Sequence, residues 1–229
     1  MHHCCCSILL NRSLQDSLDY YTLLKSESLK INRAQVYIFA SSNLFMKPVT
    51  LIDKNQLELI INRLAYQLIE NHDEFADAVL LGLQPRGVVL AERIKDRLKQ
   101  IMPEAEIHLG SLDITFFRDD FRRRDEPLKA NSTEIDFIIE DKKVILIDDV
   151  LYTGRTIRAG LDAMLSYGRP SGVELLVLVD RRFSRELPIE PTYIGKSVDS
   201  IDSQRVKVDF AKNTSNDRVL LFNTELADE

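Results

Sequence analysis

Val144-Ile145-Leu146-Ile147-Asp148-Asp149-Val150-Leu151-Tyr152-Thr153-Gly154-Arg155-Thr156 is the stretch on which the fold turns. It passes from an unbroken apolar tetrapeptide into two carboxylates, then through a short Thr-Gly-x-Thr turn into a helix. Four consecutive Val, Ile or Leu residues without polar alternation suit a strand buried on both faces, the kind found in parallel sheets covered by helices. The two acids stand at the tip of that strand, and ligands of such sheets bind at the carboxyl ends of the strands.

The flanking sequence repeats the same alternation. Downstream, residues 156–167 read as a helix stopped by Gly168 and Pro170, and residues 173–179 as another buried strand. Upstream, Asp53 is an N-cap with Gln56 at capping-box spacing, and Leu57, Ile60, Ile61, Leu64 and Leu68 form the apolar stripe of the helix that follows. Residues 78–81, 107–115, 135–139 and 143–147 read as strands, residues 88–101 as a helix, and residues 117–133 as a long charged loop. Together they predict an α/β fold with a doubly wound, mainly parallel sheet.

Composition narrows the function. The 229 residues carry 30 Lys plus Arg against 36 Asp plus Glu, a net charge of −6, which weakens a reading of nucleic-acid binding driven by overall charge and leaves a local patch open. A hydrophobic share of 45% and a charged share of 29% exclude a disordered or membrane-embedded chain. The three cysteines are the adjacent Cys4, Cys5 and Cys6, so there is no disulfide framework and the cytoplasm is the expected compartment. With His2 and His3 they could ligate a soft metal, although a metal site normally draws ligands from across a fold. Residues 1–45 lack turn punctuation and sustained period, and are expected to be an unstructured extension or the product of an over-long start, with the functional domain at 46–229.

The chemistry sits in the stretch quoted first. A turn at a helix N-terminus offers unpaired backbone N–H groups and the positive end of the helix dipole, which can cradle a phosphate, and Thr153 and Thr156 add hydroxyls. Gly154 lets the backbone approach the anion closely. Asp148 and Asp149 beside such a cradle make sense as acceptors for sugar hydroxyls or as ligands of Mg²⁺. The ligand so described has a phosphate, a ribose and a metal-bound anionic group, which fits phosphoribosyl pyrophosphate. The alternative is that the acids cap the next helix and Thr-Gly is an ordinary turn. A nucleotide-binding loop of the Gly-x-x-x-x-Gly-Lys-Ser/Thr kind is absent, since Gly195-Lys196-Ser197 is preceded by Glu190 where the first glycine would stand.

Residues 144–156 closely resemble the phosphoribosyl pyrophosphate signature of the type I phosphoribosyltransferases. Further runs are similar to the branch that acts on uracil and regulates pyrimidine operons: Leu112-Asp113-Ile114-Thr115, Phe117-Arg118-Asp119-Asp120, Gly168-Arg169-Pro170, Leu178-Val179-Asp180-Arg181, Arg185-Glu186-Leu187-Pro188-Ile189 and Tyr193-Ile194-Gly195-Lys196. The resemblance implies a sheet with a small hood and a flexible lid at residues 115–127. Catalytic roles then fall to Asp148, Asp149 and Arg118, with Mg²⁺ held by the two acids. Phosphoribosyl pyrophosphate would be bound by residues 144–156 and by Pro85, Arg86 and Gly87, in a loop where family members often hold a cis peptide.

The same resemblance puts the base between Val179-Asp180-Arg181 and Tyr193-Ile194, where Tyr193 could equally be core packing. It implies uracil and phosphoribosyl pyrophosphate as substrates and UMP as product. Leader RNA of a pyrimidine operon and a homo-oligomer, dimer or larger, are the further implied partners, with no membrane. Hypoxanthine, guanine or orotate as the base, and a mainly RNA-binding regulator, remain the alternatives. Positive charge for RNA is thin on the first helix, and the densest cluster, Arg122, Arg123 and Arg124, falls in the lid.

Overall fold

The computed structural model describes residues 48–119, 132–201, 203–211 and 216–223. The expectations for residues 1–45, the metal-binding reading of His2 to Cys6 and the arginine cluster at 122–124 lie outside them.

A short strand β1 (Val49–Ile52) leads into α1 (Lys54–His72). Asp53 caps the helix as its spacing predicts. Its carboxylate accepts the Gln56 N–H at 2.8 Å, and its own N–H donates to Gln56 Oε1 at 3.2 Å. The buried side of α1 is Leu57, Ile61, Leu64, Ala65 and Leu68, close to the predicted stripe. Next come β2 (Ala78–Leu83), α2 (Arg86–Ile101) and β3 (Leu109–Leu112). After β4 (Lys143–Leu151), α3 (Arg155–Met164) and β5 (Gly172–Arg182), the chain ends in β6 (Tyr193–Asp199), β7 (Gln204–Asp209) and β8 (Arg218–Asn223).

Five strands form one sheet in the order β3-β2-β4-β5-β6, and every pairing in it is parallel. One core cluster packs α1 and α2 against one face through Leu64, Leu90 and Ile94, which meet Ile145, Ile147 and Leu178. The other covers the opposite face with α3, through Ile157, Ala163 and Met164 against Leu146 and Val177. Helices on both faces explain why β2 and most of β4 and β5 are apolar without alternation. The remaining strands make a small antiparallel sheet, β1-β8-β7, which contributes Ile52, Val206, Val208 and Val219 to the first cluster. Among the described residues no helix is long and apolar enough to cross a membrane.

Three elements differ from the sequence reading. Residues 135–139 form no strand: only Glu134 bridges Ser111, and in antiparallel sense, while Ile135, Phe137 and Ile139 pack into the core beside α3. Their apolar spacing reflects packing from a loop along the β3 edge. The expected strand at 107–115 shrinks to four residues. β4, in contrast, does not end at Ile147 but pairs with β5 as far as Leu151, so the acid pair belongs to the strand itself.

Candidate active site

The chain leaves β2 towards β3 and comes back on the other side of β2 to build β4. The strand order therefore reverses between β2 and β4, and the crevice outside the carboxyl ends at such a reversal is the usual ligand site of an open α/β sheet. Both segments singled out in the sequence meet there: residues 84–87 after β2 and residues 148–156 at the end of β4.

Their contact is close because Gly87 has no side chain. A Cβ at that position would lie 2.3 Å from the Ile147 carbonyl oxygen, so only glycine lets the first turn of α2 rest on β4. The Gln84-Pro85 peptide is cis. Arg86, the first residue of α2, reaches across to Asp149 with Nη1 3.2 Å from Oδ2. On the β3 side, Gln84 Nε2 donates to the Ser132 carbonyl at 2.6 Å and to Ser111 Oγ at 3.3 Å, which fixes the loop at both ends.

Asp148 and Asp149 are 7% and 8% exposed, an unusual condition for carboxylates with a single cation at hand. Burial, and then the neighbouring charge of Asp149, pushes the Asp148 carboxyl well above the usual carboxylate range. Burial also raises Asp149, while the Arg86 guanidinium pulls against it. The Asp149 N–H donates to Asp148 Oδ1 at 2.9 Å and fixes the rotamer of that side chain. Buried carboxylates are stabilised by positive or hydrogen-bond-donating groups brought into the crevice, and such perturbed acids in a crevice mark a candidate functional site. Among the described residues no group of three or more His, Cys, Asp or Glu side chains gathers as a ready metal cage.

The turn after β4 has the form of an anion cradle. Gly154 occupies the N-cap of α3 with φ of 93°, a left-handed conformation that a Cβ would strain, and its bare Cα is packed by Leu187 and Ile189. The first turn of α3 starts directly after it: the Arg155 N–H donates to Thr153 Oγ1 at 3.4 Å, and the N–H groups of Thr156 and Ile157 follow, without partners four residues back in the helix. The turn is gripped from behind by the segment that follows β5. Thr153's carbonyl accepts the N–H groups of Glu186 and Leu187, each at 3.1 Å. Tyr152's carbonyl accepts Arg185, whose other η-nitrogen binds Asp180. Arg155 pairs with Glu186 and with Asp119, and Arg158 also reaches Asp119.

Sequence reasoning gave no role to Arg185, Glu186 or Asp119. Arg185 is 33 residues from Tyr152, and Arg155 is 31 from Glu186 and 36 from Asp119, separations that no local spacing reports; the one signal was the likeness of the Arg185-Glu186-Leu187 run to a family motif. Of the expected lid, only residues 115–119 fall among those described. Arg118 sits there, one residue before the Asp119 that ties the segment to α3.

The residues of the expected base pocket lie on β5 and β6, with Ile194 level with Asp148 through Val177 and Val179 level with Val150. Tyr193 is 3% exposed and opens β6, where it pairs with Leu176, itself the partner of Ile147 just before the acid pair. Its hydroxyl donates to Glu174 at 2.7 Å and accepts from Asn71 at 3.0 Å, with His72 Nε2 at 3.1 Å. Burial and the bond to Glu174 push the Tyr193 phenol up to about 12. Glu174 would be raised by burial, but hydrogen bonds from Tyr193 and His72 outweigh this and hold it below its ordinary value. These partners occupy the Tyr193 hydroxyl and favour the core-packing alternative for its side chain. Ile194 is inside the ladder opposite Val177. Val179, Asp180 and Arg181 do reach the carboxyl end, yet Val179 is wholly buried, Asp180 is paired with Arg185, and the Arg181 side chain turns to other partners.

Comparison with known proteins agrees with this geometry. A family model described as the phosphoribosyl transferase domain matches residues 50–213. The Trypanosoma cruzi hypoxanthine phosphoribosyl transferase superposes with a TM-score of 0.57 over 78% of this chain and 93% of its own, at 13% identity, which speaks for the fold alone. The chain is thus a phosphoribosyltransferase. Bifunctional protein PyrR of Bacillus subtilis is 41% identical over 178 residues, covering 76% of this chain and 97% of the relative. PyrR of Oceanobacillus iheyensis is 42% identical over 178 residues, with 77% and 98% covered. Within the phosphoribosyltransferases, the chain belongs to the PyrR family.

Proposed function

We propose that the protein transfers the phosphoribosyl group of phosphoribosyl pyrophosphate to N1 of uracil, giving UMP and pyrophosphate, and that UMP in the same pocket governs binding to leader RNA of a pyrimidine operon. The observation that carries the first part is the pair of buried acids running directly into a helix-N-terminal cradle at the reversal of the sheet. The second part rests on membership of a family whose members are named bifunctional.

In this reading the N–H groups opening α3, with Thr153 and Thr156, hold the 5′-phosphate. Asp148 and Asp149 accept the ribose hydroxyls or hold Mg²⁺. Two carboxylates, with no third such protein ligand gathered among the described residues, suit Mg²⁺, which takes its other ligands from substrate and water. Bound there, the ion would neutralise charge on the departing pyrophosphate. Pro85, Arg86 and Gly87 face that leaving group, with Arg86 adding a positive charge, and Arg118 approaches from the segment after β3. The bond from ribose C1 to the pyrophosphate oxygen breaks as the bond to uracil N1 forms, and the N1 proton leaves to solvent or base. The protein's share is orientation and charge stabilisation, with no covalent nucleophile required.

The reading predicts that purified protein forms UMP from uracil and phosphoribosyl pyrophosphate only when Mg²⁺ is added. Chromatography of the products checks this, and preference for hypoxanthine, guanine or orotate in a competition assay would overturn the choice of base. The RNA activity is tested separately. Lys54 pairs with Glu58, and Arg63 donates to the carbonyls of Ile194 and Gly195, so both cations of α1 already have partners. UMP-dependent affinity for the operon's own leader, falling with added salt, is the expected result. Affinity equal to that for scrambled RNA would reject it. A cytoplasmic homo-oligomer completes the reading, with exposed Leu59 and Tyr66 on α1 as its contact face.

A further inference from the structure

Arg181 is the least expected side chain near the site, since it is a buried arginine, 4% exposed, on the last turn of the ladder of β5. It faces two structures at once. Its guanidinium carbon lies 3.9 Å from the centre of the Tyr152 ring, the residue between the acid pair and the phosphate cradle. The same group donates to Ser200 Oγ at 2.8 Å, to the Ile201 carbonyl at 3.3 Å and to the Gln204 carbonyl at 2.7 Å. Those three residues make up the connection by which the chain leaves β6 and enters the small antiparallel sheet. A planar guanidinium can stack on a ring with its face while its edge donates to several oxygens, and a lysine ammonium cannot do both.

We infer that Arg181 is a positioning residue for the phosphoribosyl-binding turn, acting through Tyr152 and coupling that turn to the connection into the small sheet. It does not read the base. Tyr152 presents its ring face to the Arg181 guanidinium. Its carbonyl is held by Arg185 and the next carbonyl by the N–H groups of Glu186 and Leu187, so the backbone of the turn is fixed from one direction and the ring from another. Removing the stack frees the turn to rotate about those carbonyl anchors, which moves the N–H groups at the start of α3 relative to Asp148 and Asp149. The cost falls on binding of the phosphoribosyl moiety.

This inference rests on the assignment of phosphoribosyl pyrophosphate to the site, and its test separates the two. Arg181→Lys, Tyr152→Leu, Tyr152→Phe and the double variant Arg181→Lys/Tyr152→Leu would be compared by calorimetric titration with phosphoribosyl pyrophosphate and Mg²⁺, which needs no base, and by steady-state kinetics with thermal melting alongside. Arg181→Lys and Tyr152→Leu should each weaken phosphoribosyl pyrophosphate binding about tenfold, the scale of one desolvated cation–π contact. The KM for uracil should move by less than about twofold, the measure of a group that does not touch the base. Tyr152→Phe, which keeps the ring face, should weaken binding far less than Tyr152→Leu, and the double variant should be no worse than the weaker single one. A uracil KM that rises while phosphoribosyl pyrophosphate binding holds would make Arg181 a base contact and overturn the inference. So would additive losses in the double variant, or equal losses for Phe and Leu at position 152. If the wild-type protein does not bind phosphoribosyl pyrophosphate at all, the functional assignment fails, a result distinct from any of these.

Discussion

Asp149→Asn should lower turnover by about 10²–10³-fold, the loss typical when a preorganised polar contact to developing charge is removed, and yet yield a protein that melts later than wild type at neutral pH. The same combination is expected of Asp148→Asn, with the larger gain in stability. The sign follows from the proton balance. Burial, reinforced for Asp148 by its charged neighbour, raises both carboxyls above the values they have in the unfolded chain. Between the unfolded value and the raised folded one, the folded state holds more protons, so stability is full below that interval and declines as pH rises through it. An amide has no such decline. Asp148→Asn also keeps the Oδ1 that accepts the Asp149 N–H, so the local hydrogen bond survives.

Melting curves from about pH 4 to pH 8, starting near the ordinary carboxylate range, should therefore show the Asn variants gaining on wild type with increasing pH. For a domain of this size each 1 kcal/mol relieved shifts the midpoint by about 2–4 °C. Adding Mg²⁺ with phosphoribosyl pyrophosphate should stabilise wild type, by mass action, and leave the variants almost unmoved. A variant destabilised at every pH would mean that the acids support the fold, and the functional account of their burial would fall.

The helices and the parallel strands were legible because their signals are local. The Asp53 to Gln56 box, the α1 stripe and the unbroken apolar runs of β2, β4 and β5 each report a neighbourhood of a few residues. The acid pair and the Gly154 turn were legible for the same reason, as strand, carboxylates, turn and helix are contiguous. The misreadings have a common origin too. Residues 135–139 carry a strand-like apolar pattern, but a strand needs a partner, and among the described residues the one bridge at that edge is Glu134 to Ser111, just before them. For Tyr193 the sequence left a base contact and core packing open, because its hydroxyl meets Asn71 and His72 of α1 and Glu174 of β5, contacts that no local spacing reports. The grip of residues 185–187 on the phosphate turn, and the place of Arg181 behind it, exist only after β5 is paired with β4.

Asp217→Ala should destabilise the folded protein by about 3–5 kcal/mol, the usual result of stripping one partner from a buried ion pair. Asp217 is 4% exposed and belongs to the approach to β8, whereas its partner Arg93 is on α2. The arginine binds both carboxylate oxygens, donates to the Ala211 carbonyl at 3.3 Å and lies over the Phe210 ring at 4.5 Å. Asp217 Oδ1 in turn accepts the Ala211 N–H at 2.7 Å. One charged cluster thus fastens the small antiparallel sheet to the helix whose first turn carries Arg86 and Gly87. Alanine at 217 leaves the guanidinium charged with its main partner gone. The double variant Arg93→Leu/Asp217→Leu removes both charges, and although it strands the Ala211 polar groups it should recover a large part of the loss. Denaturant unfolding of the two variants against wild type measures this. Equal destabilisation by both would show that packing around the pair, and not the unpaired charge, is what holds the two sheets' elements together.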